Sequence, residues 1–236
     1  MFIFKGTEST QYLIEREVKN SILPPVKNRL LEISTRHGAY DVGHSFGVRE
    51  IEIEVVIKGE SNEDLQTKVE ELADWLYSPD LEPLVFSDSP HKTYFVRIDD
   101  STDLEQIVHT GFGTLKFIAP VPFGIGEEKI INLPSGDNVL NIDGNYETFP
   151  VYEITLTENK SKFTINSRED KIEVNATLNS GSLLVIDTNK GIVTLNGTLI
   201  TTSFSIDSDF FAVKNGDILT VDSGATVQMI YRGRWK

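Results

Sequence analysis

The chain has 236 residues, is 39% hydrophobic, contains no cysteine and carries a formal net charge of −14. That length can bury one large core or two ordinary ones, while disulfides, thiol nucleophiles and thiolate zinc sites are excluded. The acidic balance disfavours a nucleic-acid gripping module. No apolar run approaches the roughly 20 residues needed to span a bilayer, and Met1–Gly6 does not read as a signal peptide, so a soluble protein made in the cytoplasm is expected.

In chain order, Ile3, Leu13–Ile14 and Leu30–Ile33 are candidates for short strands. Ile22–Val26 contains Pro24 and Pro25. Proline donates no ladder bond, so this stretch reads as a loop or an exposed arm. A glycine-rich segment follows, in which His37 and His44 bracket Asp41. Their spacing matches no familiar metal motif.

The clearest element is a strand over Val48–Lys58, where Glu50, Glu52 and Glu54 alternate with Ile51, Ile53 and Val55. Period two with a carboxylate at each outward position predicts one buried and one wet face. Gly59 is expected to end it. A helix follows, capped by Ser61 with Glu63 and Asp64 in its first turn. Leu65, Val69, Leu72 and Leu76 form its apolar stripe, and Pro79 stops it. Trp75, beside the stripe, reads as a packing residue. Strands are predicted at Leu84–Phe86, Tyr94–Ile98 and Gly113–Ala119, punctuated by Pro90 and by Asp99–Asp103.

Pro120–Gly126 reads as a linker, because its prolines and glycines interrupt a ladder. The boundary is placed near residue 130, giving domains 1–130 and 131–236. Residues 1–130 hold 13 Lys and Arg against 23 Asp and Glu, and residues 131–236 hold 9 against 13. The second part alternates short β-prone runs with turns: Val139–Ile142, Val151–Leu156, Phe163–Ile165, Ile172–Val174, Leu183–Asp187, Gly191–Leu195, Phe210–Val213, Ile218–Val221 and Ala225–Tyr231. Asp143-Gly144, Asn196-Gly197 and Asn215-Gly216 suit the positive φ of tight hairpins. That spacing implies a β-sandwich or jelly roll.

No catalytic constellation emerges. Alternating Glu50, Glu52 and Glu54 read as a solvated face rather than as acid–base machinery. His91 and His109 belong to no motif. There is no Gly-x-Ser-x-Gly elbow and no phosphate loop, and Gly111-Phe112-Gly113 reads as a strand entry. No metal or cofactor is expected. A sandwich can stack aromatic rings on sugars, and Phe149 and Tyr152, flanking Pro150, are the candidate saccharide contacts, on fold analogy.

Several ordered segments together resemble a known family. They are Arg36-His37-Gly38-Ala39-Tyr40-Asp41 with Ser45–Arg49, Leu72–Leu76, Leu84–Asp88 with Lys92–Tyr94, and Gly113–Phe117 before Pro122-Phe123. In the second half they are Leu184–Thr188, Val193–Gly197, Phe210 with Gly216-Asp217, and Tyr231-Arg232-Gly233-Arg234-Trp235. The chain resembles the distal tail (Dit) proteins of long-tailed, non-contractile phages of Gram-positive bacteria. The family often has proline between the two final arginines, where Gly233 stands here, and Glu8–Leu31 matches less well.

The resemblance implies a mainly β protein with one α-helix: an N-terminal ring-forming domain and a C-terminal galectin-like or jelly-roll sandwich. It implies a homo-hexameric ring in the virion, at the phage tail tip, made in the host bacterial cytoplasm. Its partners would be the tail tube, the tail-tip protein and, in some members, receptor-binding proteins. DNA would cross the lumen without specific binding, and an acidic wall suits that passage; no membrane is involved. A ring needs two different patches per subunit. The candidates are the loop carrying Arg36, His37, Gly38, Ala39, Tyr40, Asp41 and Arg49, and the expected edge at Gly113–Ala119.

Overall fold

The computed structural model describes residues 1–35, 37–57, 61–99 and 112–236. Two compact units are present, residues 1–125 with Lys236, and residues 126–235. The fold is mainly β, with antiparallel sheets and a single α-helix among the described residues. Arg36, Gly59, His109 and Gly111 lie outside the described residues.

The first unit contains β1 (Phe2–Phe4), β2 (Thr7–Glu8), β3 (Ile14–Asn20), β4 (Val26–Glu32), β5 (Ala39–Phe46) and β6 (Arg49–Val56). Helix α1 (Asn62–Leu76), β7 (Glu82–Phe86), β8 (Thr93–Ile98) and β9 (Phe112–Ala119) follow. Strand β6 lies between β3 and β9. Strand β8 pairs with β9 at Arg97 and Ile98 and with β7 along Thr93–Val96, and β1 joins β7 to β2. The alternation in β6 places Ile51, Ile53 and Val55 in the core, with Phe2, Phe4, Leu84, Leu115 and Phe117. On the opposite face, Glu52 stands between Lys19 and Lys116, its register partners on β3 and β9. Lys116 reaches Glu52 at 3.6 Å and Lys19 reaches Glu54 at 2.5 Å. These exposed pairs keep a wet sheet face from being purely acidic, and contribute little to stability.

Helix α1 starts where its cap predicts, with the Asp64 N–H donating to Ser61 Oγ at 3.1 Å. Its apolar stripe buries Val69, Leu72 and Leu76, and Trp75 packs against Phe2, Phe4 and Tyr12. The last turn has no basic residue of its own. Lys5 supplies the charge from the β1–β2 turn, donating from Nζ to the carbonyls of Trp75 at 3.2 Å and Tyr77 at 2.9 Å. Lys5 and Gly6 both have positive φ, as a two-residue hairpin with the right twist requires.

Strand β10 (Gly124–Leu133) follows, and the division between the two units falls within it. The proline and glycine run therefore does not stay irregular through Gly126. Gly124 and Gly126 stand at close approaches instead: a Cβ on Gly126 would lie 2.9 Å from Trp235 Cζ3, and one on Gly124 would lie 3.2 Å from Lys92 Cβ.

The second unit continues with β11 (Gly136–Val139), β12 (Val151–Leu156), β13 (Lys160–Asn166), β14 (Lys171–Leu178) and β15 (Leu183–Asp187). It ends with β16 (Ile192–Leu195), β17 (Thr198–Leu199), β18 (Ile218–Val221) and β19 (Ala225–Trp235). One sheet runs β17-β16-β15-β12-β19-β10 and the other β11-β18-β13-β14. Both send side chains into one core, which joins Tyr152, Ile154, Ile186 and Met229 to Phe163, Ile165, Val174 and Leu219. This is a two-layer antiparallel sandwich. Asn196-Gly197, both at positive φ, forms the two-residue β16–β17 hairpin. Asp143-Gly144 does not close a hairpin. Gly144 (φ +101°) makes an isolated bridge to Arg234. Phe210–Val213 is likewise no strand; Val213 bridges Thr148 alone.

Candidate assembly surface

Strands β4 and β5 pair only with each other among the described residues. Their register sets Val26 opposite Phe46, Leu30 opposite Asp41 and Leu31 opposite Tyr40. A bulge falls between Asn28 and Leu30, near Gly43 at φ +105°. The Gly43 N–H donates to Asp41 Oδ1 at 2.9 Å, which stabilises that kink locally. Every residue of β4 is exposed. Leu30 and Val42 are 60% and 61% exposed, and Leu31, Val26, Ile33 and Tyr40 are exposed too. Successive residues of a strand face opposite ways, so Leu30 and Leu31 put apolar surface on both faces of the hairpin. An isolated two-stranded hairpin is marginally stable in water. This one is an arm with two apolar faces.

The root of the arm is tightly built. The Gly47 N–H donates to the Pro25 carbonyl at 2.6 Å, and the Phe46 ring meets Phe123 edge-on at 5.5 Å. Arg49 begins β6 just beyond and is 2% exposed. Its Nε donates to the Pro122 carbonyl at 2.8 Å, and its Nη1 to Asn20 Oδ1 at 2.7 Å and the Ser21 carbonyl at 2.9 Å. Its guanidinium carbon lies 5.5 Å from the Tyr94 ring centroid. Burial pushes the Arg49 pKa down, partly offset by Tyr94.

The structure gathers His37, Gly38, Ala39, Tyr40 and Asp41 at the arm's outer end, all exposed. Arg36 lies outside the described residues. Arg49 corrects the expectation of a ring contact: its side chain is consumed within the unit and presents no surface to a neighbour. Gly113–Ala119 is corrected as well. Strand β9 pairs with β6 along its length and with β8 at Phe117 and Ile118, so that stretch is not a free edge, and Leu115, Phe117 and Ala119 are buried. Among the described residues, no three His, Asp or Glu side chains cluster as a cation site.

The two candidate saccharide contacts do not form a platform. Tyr152 is 0% exposed, because the alternation of β12 aims it inward with Ile154 and Leu156. Its hydroxyl has no hydrogen-bond partner among the described residues, and burial raises its pKa. Phe149 is half-buried, and the Arg234 guanidinium carbon lies 5.5 Å from its ring centroid. The partly exposed aromatic pair is Phe204 and Phe210, stacked at 4.2 Å beside a recess of about 390 Å³ that Gly191 and Ile206 also line. Sequence reading counted both among the available aromatics of the sandwich but singled out Phe149 and Tyr152 instead, because nothing local separates a surface phenylalanine from a core one.

Two family models match in succession. The phage tail protein RIFT-related domain matches residues 6–119, and the C-terminal domain of the siphovirus-type tail component matches residues 143–235. The distal tail protein of Bacillus phage SPP1 is 27% identical over 218 residues, covering 90% of this chain and 86% of that protein. The crystal structure of the SPP1 Dit protein superposes with a TM-score of 0.84 at 19% identity, covering 100% of this chain and 98% of that one. It is described as a paradigm of hub adsorption apparatus in Gram-positive infecting phages. The two domain models together define a siphovirus-type tail protein. The chain belongs to the distal tail protein family of siphophages, and is a structural component of the phage tail.

Proposed function

We propose that this protein closes into a hexameric ring at the end of the tail tube and acts as the hub that joins the tube to the tail-tip proteins. Residues 1–130 build the ring, and residues 131–236 form a sandwich projecting outward. DNA crosses the lumen without being held. The observation that carries this reading is the β4–β5 arm. A hairpin with exposed apolar side chains on both faces, paired with no other strand among the described residues, is a surface waiting to be covered. Covering the exposed half of one such leucine contributes about 1 kcal/mol. A neighbouring copy supplies the cover if the arm of one subunit reaches a different patch on the next, the arrangement that closes rings. The family's structural role supports the same reading, and nothing in it calls for catalysis. The tail-tip protein and the tail tube are the direct partners in this scheme, and receptor-binding proteins attach in those phages that dock them on the hub.

Light scattering with negative-stain microscopy tests the proposal, using the full chain alone and with its tail-tip partner. Rings are expected at high protein concentration or with the partner. The double variant Leu31→Lys/Tyr40→Lys should keep the circular-dichroism spectrum and lose the rings. A strict monomer under both conditions, or a variant that assembles like the parent protein, removes the reading.

A further inference from the structure

Arg49 is a charged side chain in the wrong place for a purely structural residue. It is buried, and among the described residues no carboxylate pairs with it. Its Nη2 has no hydrogen-bond partner among the described residues. Burying a charge without a counter-ion costs free energy, and an apolar side chain of similar volume commonly stabilises a core better. What the guanidinium supplies is geometry. Its planar fork makes several bonds in fixed directions, which neither lysine nor methionine can reproduce.

Those bonds converge on the root of the arm. Asn20 and Ser21 are the residues by which the chain leaves β3 towards the arm. Arg49 itself is the residue by which it returns into β6. Pro122 is the fixed point, one residue before the Phe123 ring that receives Phe46. The outgoing strand, the returning strand and the Pro122-Phe123 turn therefore share one side chain. Beyond this root, β4 and β5 pair only with each other among the described residues, and every residue of β4 is exposed.

The geometry points to Arg49 as a positioning residue for assembly: it pins the arm at one angle, so that each subunit meets its neighbour with the arm already oriented. Pre-organisation of this kind strengthens association by reducing the ordering cost at the moment of contact. The inference rests on the arm being the assembly surface, but the pin itself can be read in dilute, unassembled protein.

Hydrogen exchange on the full chain at low concentration measures the pin. Arg49→Met removes the fork and keeps an apolar stem. Asn20→Ala leaves the guanidinium in place and removes one acceptor, which serves if Arg49→Met does not fold. Each folded variant is expected to speed amide exchange in Val26–Phe46 by about tenfold, the equivalent of losing one charge-assisted bond. Exchange in β6, β9 and α1 should stay as in the parent protein. Arg49→Lys should behave like Arg49→Met, since charge alone does not restore the fork. The midpoint concentration for assembly should rise by a similar factor. Unchanged arm exchange in a folded Asn20→Ala, or a uniform rise across the whole unit in Arg49→Met, overturns the pin. Faster arm exchange together with a parent protein that never assembles would uphold the pin and reject the ring instead.

Discussion

At the scale of single residues, several positions are set by contacts that their own neighbours in sequence do not announce. Gly144 sits at φ +101°, and a Cβ there would lie 2.4 Å from the Arg234 carbonyl oxygen. Replacing it with alanine combines a strained backbone with a backbone clash, so Gly144→Ala should lose about 2–3 kcal/mol in urea unfolding. Gly233 is similarly close-packed, with a Cβ position 2.9 Å from the Asp143 carbonyl oxygen. Alanine at this position would therefore also crowd the backbone. Tyr152 carries the opposite lesson. Its buried hydroxyl is unsatisfied, so Tyr152→Phe should hold stability level or raise it by up to about 1 kcal/mol. A large loss in urea unfolding would show that the hydroxyl has a partner in solution.

At the scale of elements, β6 and α1 follow their local signals closely. Period-two alternation gave one buried and one charged strand face, and Ser61 with the Leu65–Leu76 stripe gave the helix start and its packing side. The C-terminal end of α1 depends on a distant residue. Lys5 caps the helix carbonyls from about 70 positions away in sequence. Lys5→Met should therefore cost about 0.5–1 kcal/mol, with the loss diminished in high salt. A loss that is insensitive to salt would assign the effect to the lysine stem rather than its charge. Strand β10 shows the reverse failure of a local rule. Gly124 and Gly126 look like breakers, but they are the small residues that let Lys92 and Trp235 approach a strand. The β4–β5 hairpin is the element least legible beforehand. Proline at 24 and 25 suggested a loop or arm, and Leu30–Ile33 suggested a strand, but nothing local indicated that both faces would remain uncovered.

At the scale of the whole molecule, each unit has its own hydrophobic cluster. Composition places the boundary near residue 130, and the compact units divide between Ile125 and Gly126. Two separate cores predict two calorimetric transitions rather than one. Leu72→Ala should lower only the transition of the first unit and Ile154→Ala only that of the second, each by about 2–5 kcal/mol of stability. A single transition that both variants shift together would mean that the cores unfold as one cooperative body.

The amino-acid sequence determined the β-rich character, the single helix, the wet carboxylate face of β6, the Asn196-Gly197 hairpin and the family resemblance. All of these rest on period, capping or turn preference, which act over a few residues, or on the order of short segments along the chain. Only the tertiary structure decided that Arg49 is buried, that β9 is paired on both sides at Phe117 and Ile118, that Tyr152 fills a core, and that the arm exposes apolar side chains. Burial is a property of what lies across from a side chain. For these residues that neighbour is Pro122, β8 and the facing sheet of the sandwich, while beyond its root the arm pairs with no other strand among the described residues.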